Sequence, residues 1–449
     1  MANSSKSKKV PKKVLIASLI GSSVEWFDYF LYGTVATLVF SKLFFPNDDP
    51  QISLLLSYAS FAIPFLIRPL GGILFSHIGD KIGRKKSLVM TLSLMGSGTV
   101  LMGLLPDYNT IGIWAPILLV LLRCIQGLGL GGEWGGALLL AFEYAPKEKR
   151  GFFGSIPQMG VTIGLLLGTL VLSGLTLLPE EQFLSWGWRI PFIFSAALVI
   201  LGLWIRKGID ETPEFQETQE SKTVSRVPIV DIFRYHWKAV LITIGAKFVD
   251  AGPFYIFATF IITYANTNLG FDETTALNAV TIAAVIATVM IPLMGILSDK
   301  IGRKSLYIAG SSGIILFAFP YFYLLNLNSS LWLTIATVLA IGIIWPAITA
   351  IIGPMFAENF SANVRYTGVS FGYQIGSAIS GGTAPLIAVA LMGAFNNSWV
   401  PVALFIMANG LISLISVLFL PKTMPEVLPK TKENVHHGDR INDSATKSI

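Results

Sequence analysis

Glu25, Asp28 and Tyr32 stand at i, i+3 and i+7 in an apolar run, which puts all three on one face of a helix. At 1.5 Å per residue, Glu25 lies about 16 Å and Asp28 about 21 Å from the start of that run. That is close to the middle of a hydrocarbon core about 30 Å thick. A second apolar run holds Arg123, Gln126 and Glu133 within roughly 80° of one another around the helix. A charged side chain at mid-membrane costs about 2.5–3.5 kcal/mol on insertion scales, so such groups face a partner or a wet cavity. Three carboxyls and a guanidinium in that setting can carry protons and hold a charged solute.

The two runs cross the membrane in opposite directions, so depth alone sets Arg123 nearest Asp28, and Glu133 nearest Glu25. Asp28 beside Arg123 is expected to stay ionised, whereas Glu25, desolvated beside a like charge, favours its proton. Glu25 is therefore the first choice for proton coupling, with Glu133 and Asp28 behind it. The plainer alternative is that the four charged groups only lock two helices together. Lys247 and Asp250 sit at i, i+3 in a later run, followed by Tyr255. Lys247 either answers a substrate carboxylate or is neutralised by Asp250. Gln158, Trp345, Tyr373 and Gln374 lie at comparable depth and are candidate cavity walls, packing being the plain alternative for each. Arg68 lies nearer the end of its run and reads as a structural residue that snorkels outward.

The chain that must position these groups is 53% hydrophobic and 13% charged over 449 residues, too little charge for a soluble surface. Twelve apolar runs are long enough to cross a bilayer: roughly 14–40, 52–76, 87–105, 112–142, 151–177, 188–205, 238–265, 274–297, 305–325, 330–356, 365–392 and 398–420. The first lacks a small-residue cleavage pattern and carries two acids, so it reads as a span rather than a removed signal peptide. The net charge of +6 is unevenly placed. Lysines crowd positions 6–13, Lys81 to Lys86 and Lys147 to Arg150, while alternate loops hold Asp48, Asp49, Asp107, Glu180, Glu181, Asp272 and Glu273. By the positive-inside rule both termini are cytoplasmic. Basic residues spread along a membrane face do not make a nucleic-acid site. The single cysteine, Cys124, lies inside a run, which excludes disulfides. No Cys/His cluster has metal-ligand spacing.

One charged loop is written twice. Gly79-Asp80-Lys81-Ile82-Gly83-Arg84-Lys85 returns as Ser298-Asp299-Lys300-Ile301-Gly302-Arg303-Lys304. Glu143 and Arg150 return in the same way as Glu358 and Arg365, 215 positions on. Duplicated halves in a membrane chain are the usual build of a secondary transporter. The expected fold is an all-α membrane protein of twelve transmembrane helices in two six-helix bundles. A basic N-terminus (1–13) precedes the first bundle (14–205); a linker (206–237), the second bundle (238–420) and a disordered tail (421–449) follow.

The doubled Asp-Lys-x-Gly-Arg-Lys loop resembles the signature loop of the major facilitator superfamily. Glu25-Trp26-Phe27-Asp28-Tyr29 with Tyr32-Gly33 resembles the first span of its metabolite:proton symporter family. So do Arg68-Pro69-Leu70-Gly71-Gly72, Arg123-Cys124-Ile125-Gln126-Gly127 running to Gly131-Gly132-Glu133-Trp134-Gly135-Gly136, and Gly187-Trp188-Arg189-Ile190-Pro191-Phe192. The likeness covers the whole membrane region and is strongest in the first half. It implies proton-driven uptake of small organic acids, amino acids or zwitterionic osmolytes. It also implies a cytoplasmic latch made by Asp80, Arg84, Glu143 and Arg150 in one half and Asp299, Arg303, Glu358 and Arg365 in the other, formed in one access state and broken in the other.

Arg123 and Lys247 favour a carboxylate, so the expected function is proton-coupled uptake of a small organic anion by alternating access. Gln126, Tyr29, Tyr32, Gln158, Asp250, Tyr255, Trp345, Tyr373 and Gln374 are expected around the substrate. Uptake of betaine or proline, and drug/proton antiport, are the alternatives; the tail lacks heptads, which weighs against an osmosensor. No Walker lysine motif is present, which argues against ATP as the energy source; the resemblance implies the proton gradient as driving force, with no cofactor and no enzymatic chemistry expected. The expected partners are substrate, protons and the bilayer of a cell inner membrane, the protein acting as a monomer without nucleic acid.

Overall fold

The computed structural model describes residues 12–82, 84–207, 228–360 and 364–420. The side chains of Asp80, Arg84 and Glu143, three expected latch residues, lie outside the described residues, as do segment 208–227 of the expected linker and the tail. Among the described residues, twelve helices cross the molecule. In the first half they are α1 (Lys12–Val35), α2 (Pro50–Ile82), α3 (Arg84–Leu104), α4 (Trp114–Gly131, resuming as Trp134–Tyr144), α5 (Arg150–Leu175) and α6 (Arg189–Lys207). In the second they are α7 (Trp237–Thr267), α8 (Glu273–Ile301), α9 (Arg303–Leu325), α10 (Ser330–Glu358), α11 (Arg365–Ala394) and α12 (Val400–Leu418). Among the described residues, eleven of these are long and apolar enough to span a membrane. The exception is α1, whose Ser18, Ser22, Ser23, Glu25 and Asp28 lower its hydropathy; all five are buried.

Small residues decide how closely the helices meet. Gly127 of α4 lies on the backbone of Pro64, and Gly131 lies on the Arg68 carbonyl, so α2 and α4 touch main chain to main chain. A side chain at either position would collide with that backbone. Within the halves α1 packs on α5, α3 on α6, and α7 on α11 and α12; between them α5 packs along α8 and α2 along α11. Large apolar side chains such as Leu66, Leu70, Ile200 and Leu316 stand outward, where acyl chains would cover them.

Two departures from regular helix matter for the site. A π-helical turn at Ala36–Phe40 extends α1, and another at Ile256–Phe260 lies within α7, 220 positions on (256 − 36). The duplication thus extends to backbone irregularity, which in helices often marks functional positions. α4 is not continuous as its apolar run suggests: it breaks at Gly132 and Glu133 and starts again at Trp134.

A candidate substrate and proton site between the bundles

A cavity of about 20 Å³ lies between the two halves, lined by Trp26, Gln158, Val161, Lys247, Asp250, Phe254, Tyr255, Trp345, Thr349 and Tyr373, with Ala251 and Ser377. That is room for about one water molecule. Lys247 and Asp250 form a salt bridge on its wall, both almost wholly enclosed. The Asp250 carbonyl accepts from Trp345 Nε1 at 2.9 Å, and Trp345 stacks on Phe254 with ring centroids 4.1 Å apart. Lys247 Nζ also stands 3.7 Å above the centre of the Tyr373 ring. Trp134 of the first half stacks on the same Tyr373 and donates through Nε1 to Gln158 Oε1 at 3.2 Å. Gln158 in turn donates to the carbonyl and hydroxyl of Thr349, both at 3.1 Å. Gln158, Lys247, Asp250, Tyr255, Trp345 and Tyr373 therefore meet at one place.

The first half departs from the expected pairing. Asp28 does not meet Arg123: its Oδ1 accepts from Ser195 of α6 at 2.5 Å, and its Oδ2 has no hydrogen-bond partner. Arg123 turns instead to Gln126 Oε1 and to the carbonyls of Phe61 and Ser60, at 3.1 and 3.5 Å. Its guanidinium lies 3.7 Å from the centre of the Tyr32 ring and 5.2 Å from that of Tyr29. Gln126 continues the chain by donating to Thr99 at 3.0 Å. Tyr32 and Gln126 thus serve Arg123 inside the first bundle and do not line the cavity. Rotation about the helix axis, which depth along a helix does not give, turns Asp28 to α6. Glu25 and Glu133 are both buried, Glu133 at the break in α4.

Arg68 is the residue that sequence reasoning misjudged. It does not snorkel; it is 2% exposed and lies against the rings of Phe65, Tyr29 and Trp26, at 4.5, 4.7 and 5.8 Å. Its charge inside an apolar run was the available signal. Its direction around α2, toward the other half, was not legible.

Hydrogen bonds join the halves on both sides of the cavity. At the end bearing the α1–α2 and α7–α8 connections, Tyr58 bonds Thr263 at 2.7 Å and Thr37 at 2.8 Å. Along α5 and α8, Thr288 donates to Thr162, Thr281 to Thr169 and Ser173 to Asn278, at 2.7, 2.7 and 3.0 Å. At the opposite end the Asp299 carboxylate accepts from the backbone N–H groups of Gly151 and Phe152, at 2.8 and 3.0 Å. These are the exposed donors at the start of α5, where a helix attracts negative charge. Arg303 bonds Glu358 at 2.5 Å and Asp299 at 3.5 Å. Glu358 and Arg303, both expected in the latch, pair with each other; Arg365 donates to the Ala357 and Phe360 carbonyls at the end of α10. Arg150 lies over the Phe142 ring at 4.3 Å. The α4 break adds two more links: its Gly131 and Gly132 carbonyls accept from Gln374 and Tyr366 of α11, at 3.3 and 3.0 Å. Gln374 is thus a link between halves rather than a wall of the central cavity.

The arrangement, two duplicated six-helix bundles closed over a charged cavity, has relatives. Residues 18–381 match the family model described as Major Facilitator Superfamily. The shikimate transporter of Escherichia coli (strain K12) is 40% identical over 412 residues, covering 91% of this chain and 94% of that protein. A glycine betaine/proline/ectoine/pipecolic acid transporter of Dickeya dadantii (strain 3937) is 36% identical, covering 92% of this chain and 83% of its own length. Among solved structures, a D-xylose-proton symporter superposes with a TM-score of 0.69 at 20% identity, over 92% of this chain and 98% of that one, a likeness of fold. The chain belongs to the major facilitator superfamily, in its metabolite:proton symporter family, whose members are membrane transporters and not enzymes.

Proposed function

We propose that this protein takes up a small organic anion together with one or more protons, by alternating access between its two bundles. The observation that carries the reading is the central cavity with Lys247 and Asp250 in its wall, closed toward both ends by bonds between the halves. Closure at both ends is the state such a carrier passes through between loading and release. Placing both termini on the cytoplasmic side, as the lysine distribution implies, makes the Asp299 end the inner gate and the hydroxyl-lined end the outer gate.

Asp28, Glu25 and Glu133 are the carboxyls assigned to the proton. Asp28 moves to first place because only neutral hydroxyls stand at its carboxyl, Ser195 bonding Oδ1 and Thr99 beside it, with no ion pair among the described residues. Neutral partners of that kind support either charge state, where a guanidinium would hold the anion.

Zwitterion uptake is the second reading, since aromatic walls can hold a quaternary ammonium and one relative carries betaine and proline. Against it, the Tyr373 face is already taken by Lys247. The test is purified protein in liposomes with an imposed gradient, inside alkaline. Shikimate should accumulate above equilibrium and glycine betaine should not. Betaine accumulation without shikimate accumulation would favour the second reading, and gradient-driven efflux would point to antiport.

A further inference from the structure

Arg68 is a buried cation without an anion. Its Nε and Nη2 have no hydrogen-bond partner, and no ion pair reaches it among the described residues. Ring faces of Phe65, Tyr29 and Trp26 surround the guanidinium. Those faces attract positive charge, but they give the N–H groups no oxygen to bond. A charged group held this way is costly unless a partner arrives.

Two other donors in the same place are also unpaired. Trp26 Nε1 and the Tyr255 hydroxyl are buried without a partner, and both side chains line the central cavity. The Tyr255 ring packs against Phe65 and Tyr29, at 5.4 and 6.0 Å between centroids, the rings that also frame Arg68. One cation and two neutral donors, from α2, α1 and α7, thus gather around one ring cluster with these hydrogens unreceived; the unpartnered acceptor on the cavity wall, Asp250 Oδ1, belongs to the carboxylate already paired with Lys247. A carboxylate is the complementary group: two oxygens, acceptor only, able to take a guanidinium and further donors at once. Lys247, by contrast, is already bonded to Asp250.

We infer that Arg68, with Trp26 and Tyr255, forms the carboxylate-binding end of the transport site. The assignment rests on the organic-acid reading above and names the group that recognises the acid. Arg68 and Trp26 belong to one bundle and Tyr255 to the other, so an anion held by all three bridges the halves and favours their closure. The present cavity is too small for such a solute, which enters while one gate is open.

The test uses purified full-length protein titrated by calorimetry with shikimate, benzoate and succinate, each beside its methyl ester. For an acid that binds the wild type, Arg68→Gln should weaken binding by about 30-fold or more, the usual loss when one side of a buried charge pair is removed. Binding of the uncharged ester should stay as in the wild type, and Arg68→Lys should recover part of the loss. Tyr255→Phe, which keeps the ring, should weaken the acid about 2–10-fold at unchanged thermal midpoint, and Trp26→Phe, which keeps an aromatic face but loses the indole N–H, should weaken it by at least as much; they carry the test if Arg68→Gln does not fold. Wild-type affinity for the acid in Arg68→Gln, or equal losses for acid and ester, overturns the assignment and leaves acid uptake standing. A wild type that binds none of these acids yet concentrates glycine betaine overturns both.

Discussion

Asp28 sits fully enclosed in α1, one oxygen taking the Ser195 hydroxyl and the other without a partner. An acid so placed carries its charge at the discretion of its surroundings, whereas Asp250 is tied to Lys247. Asp28→Asn should therefore abolish accumulation driven by a pH gradient while leaving exchange of preloaded substrate within about threefold of wild type. Glu25→Gln and Glu133→Gln, assayed alongside, rank the three acids; unchanged accumulation in Asp28→Asn would remove it from the proton's path. At this scale the sequence was informative about type and depth. Glu25, Asp28, Arg123 and Lys247 announce themselves because charge inside an apolar run needs a reason. Partners were another matter. A ruler of 1.5 Å per residue fixes height but not rotation, so Asp28 was paired with Arg123 when it faces a serine, a residue that stands out in no hydropathy pattern. Arg68 failed in the opposite direction: its charge was visible, yet a long flexible side chain can point outward or inward from the same position.

The helices hold the site through two exceptional contacts. At the break in α4, the Gly131 and Gly132 carbonyls accept bonds from α11 of the other half, which ties the irregular backbone to the contact between the halves. The run Gly131-Gly132-Glu133-Trp134-Gly135-Gly136 carried that signal, but clustered glycines mark close packing and a broken helix equally well. The second contact is Gly151, where a Cβ would collide with Ser298, Asp299 and the Gly295 carbonyl. Gly151→Ala should hold the Asp299 end ajar, since overpacking costs about 1–3 kcal/mol and here falls on one conformation only. The expected result is slower uptake, with a cysteine probe near residue 155 becoming more reactive to a cytoplasmic-side reagent. Equal reactivity with slower uptake would place the defect elsewhere.

On the scale of the whole molecule, the two ends at which the halves are bonded differ in chemistry. One is the Tyr58–Thr263–Thr37 hydroxyl cluster, with neutral hydroxyl pairs running on along α5 and α8; the other is a carboxylate on a helix start with an Arg303–Glu358 ion pair beside it. The twofold architecture was legible from a single charged loop repeated 219 positions apart (299 − 80), because such a loop has no packing reason to recur. The hydroxyl ladder was not, since threonines in apolar helices usually bond their own backbone, as Thr281 and Thr288 also do. The proposed coupling has solute and proton crossing together. Its most direct measurement records both fluxes at once, in liposomes containing the purified protein, with external pH and labelled shikimate followed after substrate is added without any imposed gradient. Alkalinisation outside, in step with shikimate entry and absent in Asp28→Asn, is the predicted result. Shikimate entering with no proton movement, or with acidification outside, would contradict it.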